Sequence, residues 1–215
     1  MSQLKGHKWF AYFYDRMSGR MEKNFLADVR RGIMGGARGR VLEIGCGTGL
    51  SFAYYGPAVS ELVATEPDPY MLERARQRTD DFAGTLQIVQ APAEELPFPD
   101  ESFDTVVSTL VLCTVRDPRK ALTEIKRVLK PQGEFRFYEH VRSDGAALAL
   151  AQDAINPVWS WFGGGCHPNR DTVRLIREAG FEISDLHRAT PVPPVPPMLF
   201  IRPQVGGIAR RPRVA

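Results

Sequence analysis

The run Arg40-Val41-Leu42-Glu43-Ile44 passes directly into Gly45-Cys46-Gly47-Thr48-Gly49, and no other stretch constrains the fold as strongly. The first five residues read as a strand buried on both faces. Glycines after it let the backbone turn tightly and let a ligand come close to bare main chain. Amides at the start of a following helix would point at that ligand. A buried strand ending in such a turn opens an α/β unit, in which ligands bind beyond the carboxyl ends of the strands.

The rest of the chain repeats the alternation. Glu61–Glu66, Leu86–Gln90, Phe103–Ser108 and Glu134–Glu139 read as further strands. Pro69 to Arg78 reads as a helix between two of them. A better punctuated helix has Asp117 as cap, Pro118 at its first position and a stripe of Leu122, Ile125, Val128 and Leu129, before Pro131 and Gly133. Asp171 caps another over Val173, Ile176 and Ala179, closed by Gly180. Phe181–Leu186 and a segment near Val205 complete the strands, and two late strands after an insertion at 143–170 suggest an antiparallel edge. Strands alternating with helices imply a mostly parallel sheet covered on both faces. The stiff run 191–197, Pro-Val-Pro-Pro-Val-Pro-Pro, reads as a connector.

Charge and cysteine usage exclude several classes. Arg210, Arg211 and Arg213 crowd the last six residues, and without them 25 basic side chains face 25 acidic ones. A basic field for nucleic acid is therefore absent, and the tail reads as a solvated terminus. Cys46, Cys113 and Cys166 are far apart and odd in number, so neither a metal site nor a disulfide framework is expected, and a cytoplasmic protein fits. No apolar run approaches the roughly 20 residues of a membrane span. A signal-peptide pattern is missing too.

Spacing separates two readings of the glycine turn. A dinucleotide fingerprint starting at Gly45 would put glycine at position 50, which is Leu50; the third glycine, Gly49, comes one residue early. Glu66 lies about 20 residues beyond the first glycine, where a carboxylate can accept both hydroxyls of a ribose. Asp68 is its substitute if the strand ends later. Nicotinamide enzymes also place an acid there, so Glu66 supports adenosine binding without naming the cofactor.

The GxGxG form preceded by Glu43 resembles motif I of class I S-adenosylmethionine methyltransferases. Ala91-Pro92-Ala93-Glu94-Glu95-Leu96-Pro97-Phe98 resembles that family's adenine-lining segment, and 103–112 its passage beside the methionine part of the cofactor. The resemblance implies a Rossmann-like α/β fold: seven strands, mostly parallel, one antiparallel edge strand, helices on both faces. It implies S-adenosylmethionine as cofactor and S-adenosylhomocysteine as product. The cofactor-binding residues it implies are Tyr14, Glu43, Gly45, Cys46, Gly47, Gly49, Glu66, Pro67, Ala93, Glu94, Thr109 and Leu110.

Within that class, Thr109–Val115, Glu139-His140-Val141, Asn156-Pro157-Val158-Trp159, Gly165-Cys166 and Arg170 resemble the methyltransferase-like thiol S-methyltransferases, as does Lys8-Trp9-Phe10 with Tyr12 and Phe13. Tyr14-Asp15 resembles the Tyr-Asp pair of the quinone-type C-methyltransferases, and bacterial phospholipid N-methyltransferases share much of the core. The expected acceptor is a small thiol; an amine lipid or a quinone-type acceptor is the alternative. A nicotinamide oxidoreductase and a non-catalytic cofactor-binding module are the readings from other classes. His140 is the expected base or orienting group, with a loop-stabilising histidine as the other role for it. Trp9, Tyr12, Trp159, His167 and Arg170 are expected to line the acceptor site. Residues 1–36 are expected to form an aromatic lid, with contact to a membrane surface as its second reading; 37–208 form the catalytic domain and 209–215 a basic tail.

Overall fold

The computed structural model describes residues 26–190 and 198–212. Trp9, Tyr12, Tyr14, the rest of the expected lid through Phe25, and the proline run 191–197 lie outside the described residues.

Seven strands form one sheet: β1 (Gly39–Ile44), β2 (Val59–Thr65), β3 (Thr85–Val89), β4 (Phe103–Thr109), β5 (Leu129–His140), β6 (Glu182–Ala189) and β7 (Gln204–Arg210). Their order is β3-β2-β1-β4-β5-β7-β6. The pairs from β3 to β5 are parallel, while β7 runs antiparallel to both β5 and β6. The antiparallel strand thus sits one place in from the edge, and β6 is the edge itself. Room for β7 comes from Gly206 and Gly207, where a side chain would collide with His187, Tyr138 and Phe137.

Among the described residues five α-helices accompany the sheet: α1 (Ala27–Met34), α2 (Pro69–Arg76), α3 (Pro118–Val128), α4 (Ala146–Phe162) and α5 (Thr172–Glu178). Capping fixes three of their starts, two of them as the sequence indicates and the third at Asp68, which the sequence offered only as a ribose acid. Asp68 accepts the amides of Tyr70 and Met71, Asp117 those of Arg119 and Lys120, and Asp171 that of Arg174. Each cap satisfies donors that the first helical turn leaves unpaired. Two apolar clusters lie on the two faces of the sheet. One gathers Leu122, Ile125, Val173 and Ile176 against β4 and β5. The other gathers Ile33, Met34, Phe52, Tyr55, Ala75 and Phe82 against β1 and β2.

Three expectations need correction. The glycine turn leads into a single 3-10 turn, Phe52–Tyr54, and not into an α-helix. Gly56 and Pro57 follow at once, so the chain has no length in which to propagate one. The insertion holds α4, a 17-residue helix the sequence concealed behind its internal Pro157. The tail expected from 209 begins inside β7, and its first arginines are tied down: Arg210 pairs with Glu134 and Arg211 with Glu101. Among the described residues no helix is long and apolar enough to cross a membrane.

Candidate active site at the carboxyl ends of β1, β2, β4 and β5

The glycine turn has the backbone its composition implied. Gly45 has φ +60° and Gly49 φ +80°, values at which a side chain is strained. A methyl at Gly45 would also strike Val111, and one at Gly49 the Phe52 ring. Gly47 donates its amide to Glu66 at 2.9 Å, and Asp68 donates to the other Glu66 oxygen at 2.9 Å. Glu66 thus clamps the β1 and β2 turns together. Burial dominates these two hydrogen bonds and lifts its pKa to about 7.

Glu43 points inward and accepts the Ser51 hydroxyl at 2.8 Å. Its pKa is raised by burial, as is that of the Cys46 thiol. A crevice above the turn is lined by Arg30, Glu43, Gly45, Cys46, Gly47, Thr48, Leu50 and Thr109. The Thr109 hydroxyl is buried with no hydrogen-bond partner among the described residues, an arrangement that suits a polar ligand in the crevice. Leu110 beside it has φ +60°, and its amide is held by the Tyr138 carbonyl at 2.7 Å. A leucine is kept in that conformation only where its surroundings over-determine it.

The other expected cofactor residues have structural partners as well. Ala93 is packed into the core beside Leu96. Glu94 accepts the amides of Arg116 and Asp117 at 2.9 and 3.3 Å, which ties the segment after β3 to the start of α3. The Pro67 carbonyl accepts the Gln90 amide group at 3.1 Å.

Around the residues expected to line the acceptor site, the structure brings together side chains that the sequence spreads from Cys113 to Arg170. His140, at the end of β5, is only 9% exposed. Its Nδ1 lies 3.6 Å from the Cys113 sulfur and 3.4 Å from that of Cys166, and the two sulfurs are 3.8 Å apart. From the sequence the two cysteines stood far apart, with neither a metal site nor a disulfide expected of them. His167 donates its amide to the Cys113 carbonyl, and its Nδ1 meets Asn156 at 3.1 Å. Burial and the neighbouring Arg170 lower the His167 pKa. Arg170 spends one guanidinium nitrogen on the Leu112 carbonyl at 2.7 Å. Trp159 on α4 is half-buried, and its indole nitrogen is buried with no hydrogen-bond partner among the described residues.

Two residues with organising roles escaped the sequence reading. Glu139 is fully buried and accepts three donors: the Ser108 hydroxyl at 2.6 Å and the amides of Val111 and Cys113, each at 3.1 Å. It therefore shapes the loop that carries Thr109 to Cys113. Gln152 on α4 is fully buried too. Its Nε2 reaches the carbonyls of Val141, Pro168 and Phe200, and its Oε1 accepts the Ser143 amide at 2.8 Å. A signal existed for each: an acid closing an apolar strand, and one amide amid alanines.

Residues 42–137 match the methyltransferase domain family. The chain is 38% identical to the thiol S-methyltransferase TMT1B of Rattus norvegicus over 66% of its own length, and it spans 59% of that relative. It is 32% identical to the phosphatidylethanolamine N-methyltransferase of Cereibacter sphaeroides, covering 76% of this chain and 79% of that one. A solved S-adenosylmethionine-dependent methyltransferase of Aquifex aeolicus shares the fold, with TM-score 0.65, 16% identity and coverage of 95% and 98%. With the glycine turn, the acid after β2 and the sheet order in place, the chain belongs to the class I S-adenosylmethionine-dependent methyltransferases.

Proposed function

We propose that the chain moves a methyl group from S-adenosylmethionine to a small thiol. The observation that carries this reading is the likeness to TMT1B, which covers 66% of the chain for the Rattus norvegicus protein and 80% for that of Mus musculus, well beyond residues 42–137. When bound, the cofactor supplies an electrophilic methyl group on a sulfonium. The protein's share is alignment and exclusion of water. Gly45 and Gly47 offer bare backbone, Glu66 receives the ribose hydroxyls, and Thr109 supplies the hydroxyl left unpaired in the crevice. Glu139 holds the Thr109–Cys113 loop between donor and acceptor. Trp159, His167 and Arg170 roof the acceptor side, and the sulfur-rich surroundings of His140 suit a soft nucleophile. A thiol needs little activation, since its unperturbed pKa is about 8.5.

Incubating the chain and labelled cofactor with thiols, phenols, a quinol and phosphatidylethanolamine tests this. Label in the thioether product is the expected result; label in the amine lipid alone would sink the thiol reading. N-methylation of an amine lipid is the second reading. It is favoured by the Cereibacter relative and by the exposed Leu150, Val158, Trp161 and Phe162 of α4, an apolar surface suited to lipid.

Glu66 gives a pH prediction. Its folded pKa of about 7 exceeds the ordinary value of 4.5. The stability it contributes is full below the ordinary value and is lost as pH rises through 7. Cofactor binding runs the opposite way, because only the carboxylate accepts two ribose hydroxyls. Affinity is expected to fall roughly tenfold per pH unit below 7. Calorimetric titration from acid to neutral pH checks it, and Glu66→Gln should flatten the profile.

A further inference from the structure

Cys113, His140 and Cys166 come from three separate elements: the loop after β4, the end of β5 and the loop after α4. All three are buried, and their ligand-capable atoms lie within 4.8 Å of one another. A tetrahedral zinc ion with Zn–S of about 2.3 Å and Zn–N of about 2.0–2.1 Å requires sulfurs about 3.8 Å apart and sulfur–nitrogen separations of about 3.6 Å. The separations here are 3.8, 3.6 and 3.4 Å. The side chains need almost no movement to receive an ion at their centre.

The geometry points to a zinc site formed by Cys113 Sγ, His140 Nδ1 and Cys166 Sγ, with a fourth position for an exogenous ligand. Charge favours it. Two thiolates and a neutral imidazole around a divalent ion sum to zero, the state that costs least in a buried setting. Binding releases the two thiol protons to solvent. Ligand softness favours it as well, since thiolate and imidazole select zinc over magnesium or calcium. The supports are fixed by independent bonds. The His167 amide holds the Cys113 carbonyl at 2.7 Å, the Arg142 amide holds the Arg170 carbonyl at 2.9 Å, and Glu139 holds the Cys113 amide. These bonds fix the backbone of the two loops that carry the cysteines.

Three protein ligands leave a four-coordinate zinc one position to fill from outside the protein, as in catalytic sites. An acceptor R–SH entering that position gives its proton to solvent and stays as a zinc-bound thiolate. This last role rests on the proposed thiol reading; the metal site does not.

The test is metal analysis of the full chain, purified under reducing conditions, loaded with Zn2+ and desalted. About one zinc per chain is expected. Loading with Co2+ instead should give a thiolate-to-metal band in the near ultraviolet and visible bands of tetrahedral cobalt, a readout that needs no variant. Cys113→Ser and Cys166→Ser should each weaken zinc at least about tenfold, with circular dichroism reporting whether they fold. Zinc well below one per chain with no cobalt spectrum would overturn the site. So would equal zinc retention by a folded Cys113→Ser/Cys166→Ser double variant, or a Cys113–Cys166 disulfide in the reduced preparation. Full zinc with no methylation of any thiol would sink the acceptor reading and leave the metal site standing.

Discussion

Glu139→Ala is expected to destabilise the chain by about 3–5 kcal/mol and to cut kcat/KM by roughly two orders of magnitude. The carboxylate is fully buried, and its loss leaves the Ser108 hydroxyl and the amides of Val111 and Cys113 without their acceptor. No water replaces it at no cost, because each stranded donor forfeits hydration as well as its bond. The activity loss follows from position. Thr109, Leu110 and Cys113 sit on the loop that Glu139 shapes, and Leu110 already holds a left-handed backbone. Glu139→Gln separates the two effects. It preserves volume, yet one oxygen becomes an NH2 group facing a donor, so an intermediate loss of about 2 kcal/mol is expected. Denaturant midpoints and steady-state rates check both, and an Glu139→Ala chain with the wild-type midpoint would refute the role.

The second large effect is expected at Gln152. The two hydrogens of its Nε2 serve three carbonyls, those of Val141, Pro168 and Phe200. One side chain thereby joins α4 to the end of β5, to the loop bearing Cys166 and to the approach to β7. Gln152→Leu leaves those carbonyls buried and unpaired, at a cost of about 4 kcal/mol, or a Tm lower by about 10 °C. Gln152→Glu is the discriminating change. It has the right volume and still accepts the Ser143 amide, but a carboxylate donates nothing to carbonyls. If hydrogen bonding is the reason for this residue, Glu is at least as harmful as Leu in thermal unfolding. If volume is the reason, Glu is mild.

The glycine turn and the strand ends around it were legible because their signals are local. A glycine that must adopt positive φ, an acid at a strand end and a Pro after an Asp cap each reveal themselves within a few residues. Glu43, Gly45, Gly47 and Glu66 accordingly stand where their spacing placed them, as do the caps Asp117 and Asp171. The cluster around His140 was hidden because it is made by tertiary contact. Cys113 and Cys166 are 53 positions apart and meet only through the sheet. Pro157 removes one backbone hydrogen bond and so masked α4, whose tertiary anchor is Gln152. Glu94 carries a structural role the motif did not reveal: one of its carboxylate oxygens accepts the amides of Arg116 and Asp117 at the start of α3.

The placement of β7 governs the order in which the protein can assemble. β5 and β6 do not pair with each other; β7 lies between them and pairs with both, while β5 has β4 on its other side. As the chain leaves the ribosome, the five parallel strands can associate while 204–210 is still being synthesised. β6 then has no ladder to join, and one side of β5 lies bare with its amides and carbonyls unpaired. Sheet completion waits for the last strand, which must enter between two strands made before it. A nascent chain stalled before residue 204 therefore exposes a sticky edge, and that interval is when the protein most needs a chaperone.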